Sequence, residues 1–299
     1  MLRKIGAKAT ILTLISTCLI SCGSATVEEY EQFAEAGKNY TIALDSLLET
    51  SGNYFVDANS ERLIRNDLGK PETDQKNYED VTKSDEQWLI LIGRMRRHTG
   101  LVRRYFEQLG KLAGSDASQR GEKATAKIAT ELVSLGNSIR ETPPVNSSSA
   151  ALVTSKLTNI IIKVKIGGAL KREINARKDA IYKELETQDL VLQLLKQQLQ
   201  TNIRTIQNNQ DERLVFQPYV DETPISAQDD WIAKRREIRT MTLQVEALEN
   251  ASKASEAFKE AFKALLEDDF NLARANSFLL DVDTLLKVAE ELKEQSEAK

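Results

Sequence analysis

Histidine is nearly absent from this chain: His98 stands alone among 299 residues, beside two cysteines, five prolines and two tryptophans. A single histidine excludes the paired E-x-x-H ligands of ferritin-like di-iron sites and the H-E-x-x-H zinc motif. Two cysteines cannot build a disulfide framework, and so few prolines with 13 glycines exclude collagen-like and loop-rich classes. An excess of one charge is also missing. Lys and Arg number 41 against 45 Asp and Glu, a formal charge of −4, which gives no global pull toward nucleic acid or anionic lipid. The chain has no G-x-x-x-x-G-K-[ST] phosphate loop, no G-x-G-x-x-G and no G-x-S-x-G elbow. The enzyme route left is a carboxylate pair of the glycosidase kind, and acidic doublets such as Asp229-Asp230 or Asp268-Asp269 arise by chance in so acidic a chain. No metal site and no cofactor is expected.

What is present begins at the N-terminus. Arg3, Lys4 and Lys8 precede an apolar run from Ala9 to Ile20, about 12 residues and too short to cross a ~30 Å hydrocarbon core as a helix. The run ends in Leu19-Ile20-Ser21-Cys22-Gly23. Basic head, apolar run and terminal LISC together resemble the lipobox signal of bacterial lipoproteins. The resemblance implies cleavage after residue 21 and a diacylglycerol thioether on Cys22, usually with an N-acyl chain. Two or three acyl chains at ~0.8 kcal/mol per buried methylene anchor stably where one does not. It also implies an exported protein held at the cell envelope; in a diderm host, Gly23 rather than Asp after the cysteine favours the outer membrane. Cys18 leaves with the signal, so the mature chain has one cysteine, already lipidated, and no internal disulfide. Loss of the three basic residues of the signal takes the formal charge from −4 to −7.

Beyond a short tether, 22–26, residues 27–299 read as one elongated helical domain. Thr26-Val27-Glu28-Glu29 has the form of a capping box, and apolar or small residues then recur at helical spacing to about Leu68, where Gly69 and Pro71 open a polar loop. That loop is expected to last to about Lys83. Ser84-Asp85-Glu86-Gln87 is a second capping box, followed by three-four spacing from Trp88 to Leu112. Gly110, Gly114 and Gly121 then break or kink this helix before it resumes to Arg140. Thr142-Pro143-Pro144 is a turn. From Val153 to Ile206 a heptad alternation runs unbroken and predicts a helix of ~60 residues, ~90 Å long. A loop over 211–225 carries Pro218 and Pro224. Ser226 then caps a fourth helix from Trp231 to Leu265, with a bend near 267–269 before its last turns. The expected fold is all-α, an elongated antiparallel bundle of about four long helices with coiled-coil-like packing. An up-down-up-down order would put both termini at the membrane end.

In that arrangement twelve arginines map to the far end: Arg62, Arg65, Arg94, Arg96, Arg97, Arg103, Arg104, Arg204, Arg213, Arg235, Arg236 and Arg239. Of these, Arg94, Arg97, Arg235, Arg236 and Arg239 are the candidate partner-binding cations, since the guanidinium fork suits carboxylate and phosphate oxygens. Nearby acids, Glu61, Asp67, Asp85, Glu86, Asp211, Glu212, Asp229, Asp230 and Glu237, offer the other reading, a paired and solvated face. Phe216 and Tyr219, within Leu214-Val215-Phe216-Gln217-Pro218-Tyr219-Val220, either cap the bundle or present an anchor to a partner. His98, on the apolar seam between Met95 and Val102, is a pH-sensitive group or a hydrogen-bonded core histidine. Functionally, the chain reads as a non-enzymatic, lipid-anchored rod offering a protein or an anionic envelope polymer a surface away from the membrane. A second reading is membrane-active: Ile160-Ile161-Ile162 and Gly167-Gly168 resemble the amphipathic tongues of helical pore-forming toxins, although the heptad passes through them in phase. A third is an envelope hydrolase with a carboxylate-only site.

Overall fold

The computed structural model describes residues 27–69, 75–113, 119–141, 168–221, 223–251, 253–267 and 272–297. Cys22, the signal segment and residues 153–167 lie outside them. The described residues form an elongated all-α bundle. Its elements are α1 (Val27–Gly69), α2 (Gln75–Ala113), α3 (Gln119–Glu141), α4 (Gly168–Gln210), a π-helical turn (Asp211–Phe216), α5 (Gln217–Val220), α6 (Gln228–Ala251), α7 (Ala254–Leu266) and α8 (Leu272–Glu297). At 43 residues each, α1 and α4 run ~64 Å.

Cross-helix contacts give each element its direction. Arg96 meets Asp45 at 2.8 Å and Asn59 donates to Asp85 at 2.6 Å, so α2 returns antiparallel to α1. Arg62 and Arg65 reach Thr205 and Asn209, which sets α4 parallel to α1. Lys196 pairs with Glu249 and Lys259 with Asp189, carrying α6 and α7 back down α4. Phe278 stacks beside Phe33 and Phe258, and Lys293 reaches Glu49, so α8 climbs again beside α1.

The core forms because α1 is apolar on several faces and sits between α2, α4, α7 and α8. Phe258 is the hub of an aromatic cluster, with ring centroids 5.6 Å from Phe33, 4.9 Å from Tyr40, 5.1 Å from Phe106 and 5.2 Å from Phe278. Gly37 admits that ring: a Cβ there would stand 2.9 Å from Phe258 Cζ. Along α4 the predicted heptad positions Ile174, Ile181, Leu185, Gln188, Leu192, Leu195, Leu199, Asn202 and Ile206 are buried, while Lys178 of the same series is only partly so.

Several expectations change. Helix α2 begins at Gln75, not after Lys83. Residues 75–83 are mostly exposed, and polar bonds such as Gln75 to Glu79 support a helix that has no apolar stripe to betray it. The 84–140 stretch is a helical hairpin and not one kinked helix. Leu112 Cδ2 lies 3.3 Å from where a Gly121 Cβ would be, and α3 runs parallel to α4 through Glu122–Arg172 and Arg140–Glu184. The helix through Gln210 continues past 211, where a loop is expected. Pro218 has no N–H to give to the carbonyl four residues back, and just before it the π-helical turn shifts the hydrogen bonding by one residue, Gln217 N–H donating to Glu212 O. Helix α8 runs antiparallel to α7, where a bend and a few last turns are expected; Asp268 and Asp269 lie outside the described residues. The termini of the described chain therefore lie at opposite ends: Val27 at one, and near the other Ser296, which shares a cavity with Ser60, Glu61 and Gln210.

Candidate functional site

The arginines do not form one crown. Arg97 adjoins His98, which bonds to Glu184, whereas Arg239 bonds to Asp211 at 3.0 Å. From Glu184 to Asp211 is 27 residues along one continuous helical path, ~40 Å at 1.5 Å per residue. Arg94, Arg96, Arg97, Arg103 and Arg104 thus lie along the side of the rod, because α2 starts higher than expected and has already descended past them. At the far end itself, Arg213 pairs with Glu61 at 2.9 Å, Arg62 donates to Asn59 and Arg239 pairs with Asp211. This is the paired face. Arg235 and Arg236 are exposed on α6, with the Arg235 guanidinium 5.9 Å above the Trp231 ring.

What the far end does present is aromatic. The π-helical turn buries Val215, at 5% exposure, and sends Phe216, at 50%, outward. Tyr219, at 69%, and Val220 follow on α5, so the 214–220 segment buries Val215, half-buries Leu214 and Pro218 and exposes Phe216, Gln217, Tyr219 and Val220. Pro218 fits because it occupies the first turn of α5. The Trp231 indole donates from Nε1 to Val215 O at 3.1 Å, fixing the start of α6 against the turn, and its ring lies near-parallel to Tyr219, centroids 6.3 Å apart. Between α5 and α6 is a cavity of about 480 Å³ lined by Pro218, Tyr219, Pro224, Ile225, Trp231 and Ile232, with Asp221, Thr223 and Gln228 as its polar members. Six of its walls are apolar and three polar, and it is open to solvent.

His98 is fully buried, with both ring nitrogens engaged: Nε2 is 2.9 Å from Glu184 Oε2, and the Gln188 amide reaches Nδ1. Thr99 donates to Gln188 Oε1 at 3.2 Å, while Arg140 holds both Glu184 oxygens, at 3.1 and 3.3 Å, and contacts Thr187. This is the hydrogen-bonded core histidine. A second buried carboxylate, Glu173, lies beside Arg177 and Tyr105. Burial pushes its carboxyl up, against the opposing pull of Arg177 and the Tyr105 hydroxyl, and burial likewise pushes Tyr105 far above the usual phenol range.

Sequence reasoning missed Glu184, Arg140 and Gly136. The signal for a partner was a polar residue at a buried heptad position, Gln188, one turn from Glu184 and opposite the lone histidine. Among the described residues no cluster of three His, Cys, Asp or Glu side chains is placed to hold a metal, and no helix is long and apolar enough to cross a membrane. No protein-family model, curated protein or solved structure matches the chain.

Proposed function

We propose that the protein is a lipid-anchored, non-enzymatic envelope component whose helical rod holds a protein-binding surface away from the membrane. The anchor is the diacylglyceryl group that the LISC sequence implies on Cys22, five residues before α1 begins. The observation that carries the reading is the exposed shelf of Phe216, Tyr219, Val220 and Ile232 at the end of the bundle opposite Val27, ~60 Å away along α1. Large apolar side chains held out to solvent by a rigid turn are the residue types that anchor protein partners. A protein suits this surface because its exposed members are apolar or aromatic, while Arg213 and Arg239 beside them are paired with carboxylates.

The test is photo-crosslinking in intact envelopes, with the reactive group at Tyr219 and, as a control, at Leu243, exposed on the flank of α6. One dominant protein adduct at Tyr219 and none at Leu243 is the expected result. Equal labelling at both positions, or none at Tyr219 with helicity intact, would remove the far end as the binding surface.

A further inference from the structure

Helix α3 is attached differently from the rest of the bundle. It packs on α2 and α4, and its apolar contribution is thin: Ala129, Leu132 and Ile139 buried, Ile128 and Leu135 partly so. It has no aromatic residue, whereas Phe33, Phe106, Phe258 and Phe278 knit α1, α2, α7 and α8 together. Toward the C-terminal end of its interface lies a carboxylate. Glu184, 1% exposed at its side chain, takes Arg140 of α3 on one side and His98 of α2 on the other. Gly136 lets the α3 backbone lie against that carboxylate, since a Cβ there would overlap Oε2.

The remaining bonds of the cluster, Thr99 to Gln188, Gln188 to His98 and His98 to Glu184, join α2 and α4 without α3. Departure of α3 would therefore break, besides its few apolar contacts, only the Arg140 contacts and the more exposed Glu122–Arg172 pair, and the freed charges would be hydrated. An interface closed by an ion pair over few apolar contacts opens at lower free energy than a dry aromatic one. We infer that α3 is a separable flap, latched by Glu184, whose undocking uncovers the groove between α2 and α4 while the other helices stay folded. The inference is independent of the surface at Tyr219.

Hydrogen–deuterium exchange on the whole chain tests it, peptide by peptide. Amides of 119–141 should exchange faster than the buried amides of α1 and α4, through an opening insensitive to low denaturant. Glu184→Gln, which removes the charge that Arg140 holds, should speed exchange in 119–141 on the order of 10- to 100-fold with α1 unchanged. Gly136→Ala, which pushes α3 off the carboxylate, should reproduce that selective effect and serves if the first variant folds poorly. Equal protection of α3 and α1, or acceleration spread evenly over all helices, would overturn the inference. So would failure of both variants to fold, which would make α3 integral to the core.

Discussion

Replacing Gly37 by Ala tests the aromatic hub, because the sign of its effect depends on a residue in another helix. Gly37 is buried in the third turn of α1, where Ala is favoured over Gly by about 1 kcal/mol on helix propensity alone. Against this, the new methyl would sit 2.9 Å from Phe258 Cζ and 3.1 Å from Cε2. The ring cannot swing aside, for Tyr40, Phe106 and Phe278 hold its other faces at centroid distances of 4.9, 5.1 and 5.2 Å. Overpacking a closed site costs about 1–3 kcal/mol, so Gly37→Ala should destabilise the protein by about 1 kcal/mol net. In a Phe258→Leu background, itself costing about 1–2 kcal/mol, the clashing atoms are gone. There the same substitution should stabilise by about 1 kcal/mol, through propensity and partial filling of the void. Urea unfolding of the four proteins, followed by far-ultraviolet circular dichroism at constant m-value, measures the cycle. Equal effects of Gly37→Ala in both backgrounds would refute the placement of Phe258 against α1.

Three other variants probe separate parts of the bundle. Burial raises the Glu173 pKa above its usual 4.5, so the stability it contributes is fully present below that value and is lost as pH rises through the raised one. Glu173→Gln should therefore gain on the parent protein as pH rises above the usual carboxylate range, and urea midpoints that run parallel on both sides of it would contradict this. Glu61 is 7% exposed and accepts from Gln210 at 3.0 Å and Arg213 at 2.9 Å. Glu61→Ala should cost about 1–3 kcal/mol by stranding the partly exposed Arg213, whereas Arg213→Ala with Glu61→Ala should cost less than the sum, as a double-mutant cycle would show. Trp231→Phe deletes the indole bond to Val215 O and should lower stability by about 0.5–1.5 kcal/mol, seen as a shifted unfolding midpoint; an unchanged midpoint would mean that the indole does not brace the π-helical turn.

Helix positions were legible in the sequence wherever burial imposed a repeat. The α4 heptad from Ile174 to Ile206 is the clearest case, since each position on that face meets another helix and must be apolar or hydrogen-bonded. Residues 75–83 stayed hidden for the converse reason: an exposed helix carries no stripe, and its polar side chains resemble a loop's. Chain reversals were harder still. Glycines at 110, 114 and 121 are equally compatible with a kink and with a hairpin, and only the packing of α3 along α4 decides between them. The far-end aromatics Phe216 and Tyr219 were found from composition, but their exposure depends on a one-residue shift in hydrogen bonding that no local pattern announces. Arg94 and Arg97 were misplaced because a level along the rod is counted from where a helix starts, so the misjudged start of α2 moved every residue of that helix. Glu184 escaped notice since one acid among 45 is conspicuous only beside its partners.

The opposite placement of the two described ends has a mechanical consequence. Helices α1 and α8 lie side by side and run the same way, with Phe33 beside Phe278 low on the rod and Glu49 beside Lys293 higher up. A pull applied at the start of α1 and resisted at the end of α8 would slide one helix along the other, loading their whole shared seam at once. Seams loaded in shear give way at higher force than seams peeled apart from one end, so the rod is built to stay whole when tension runs along its length.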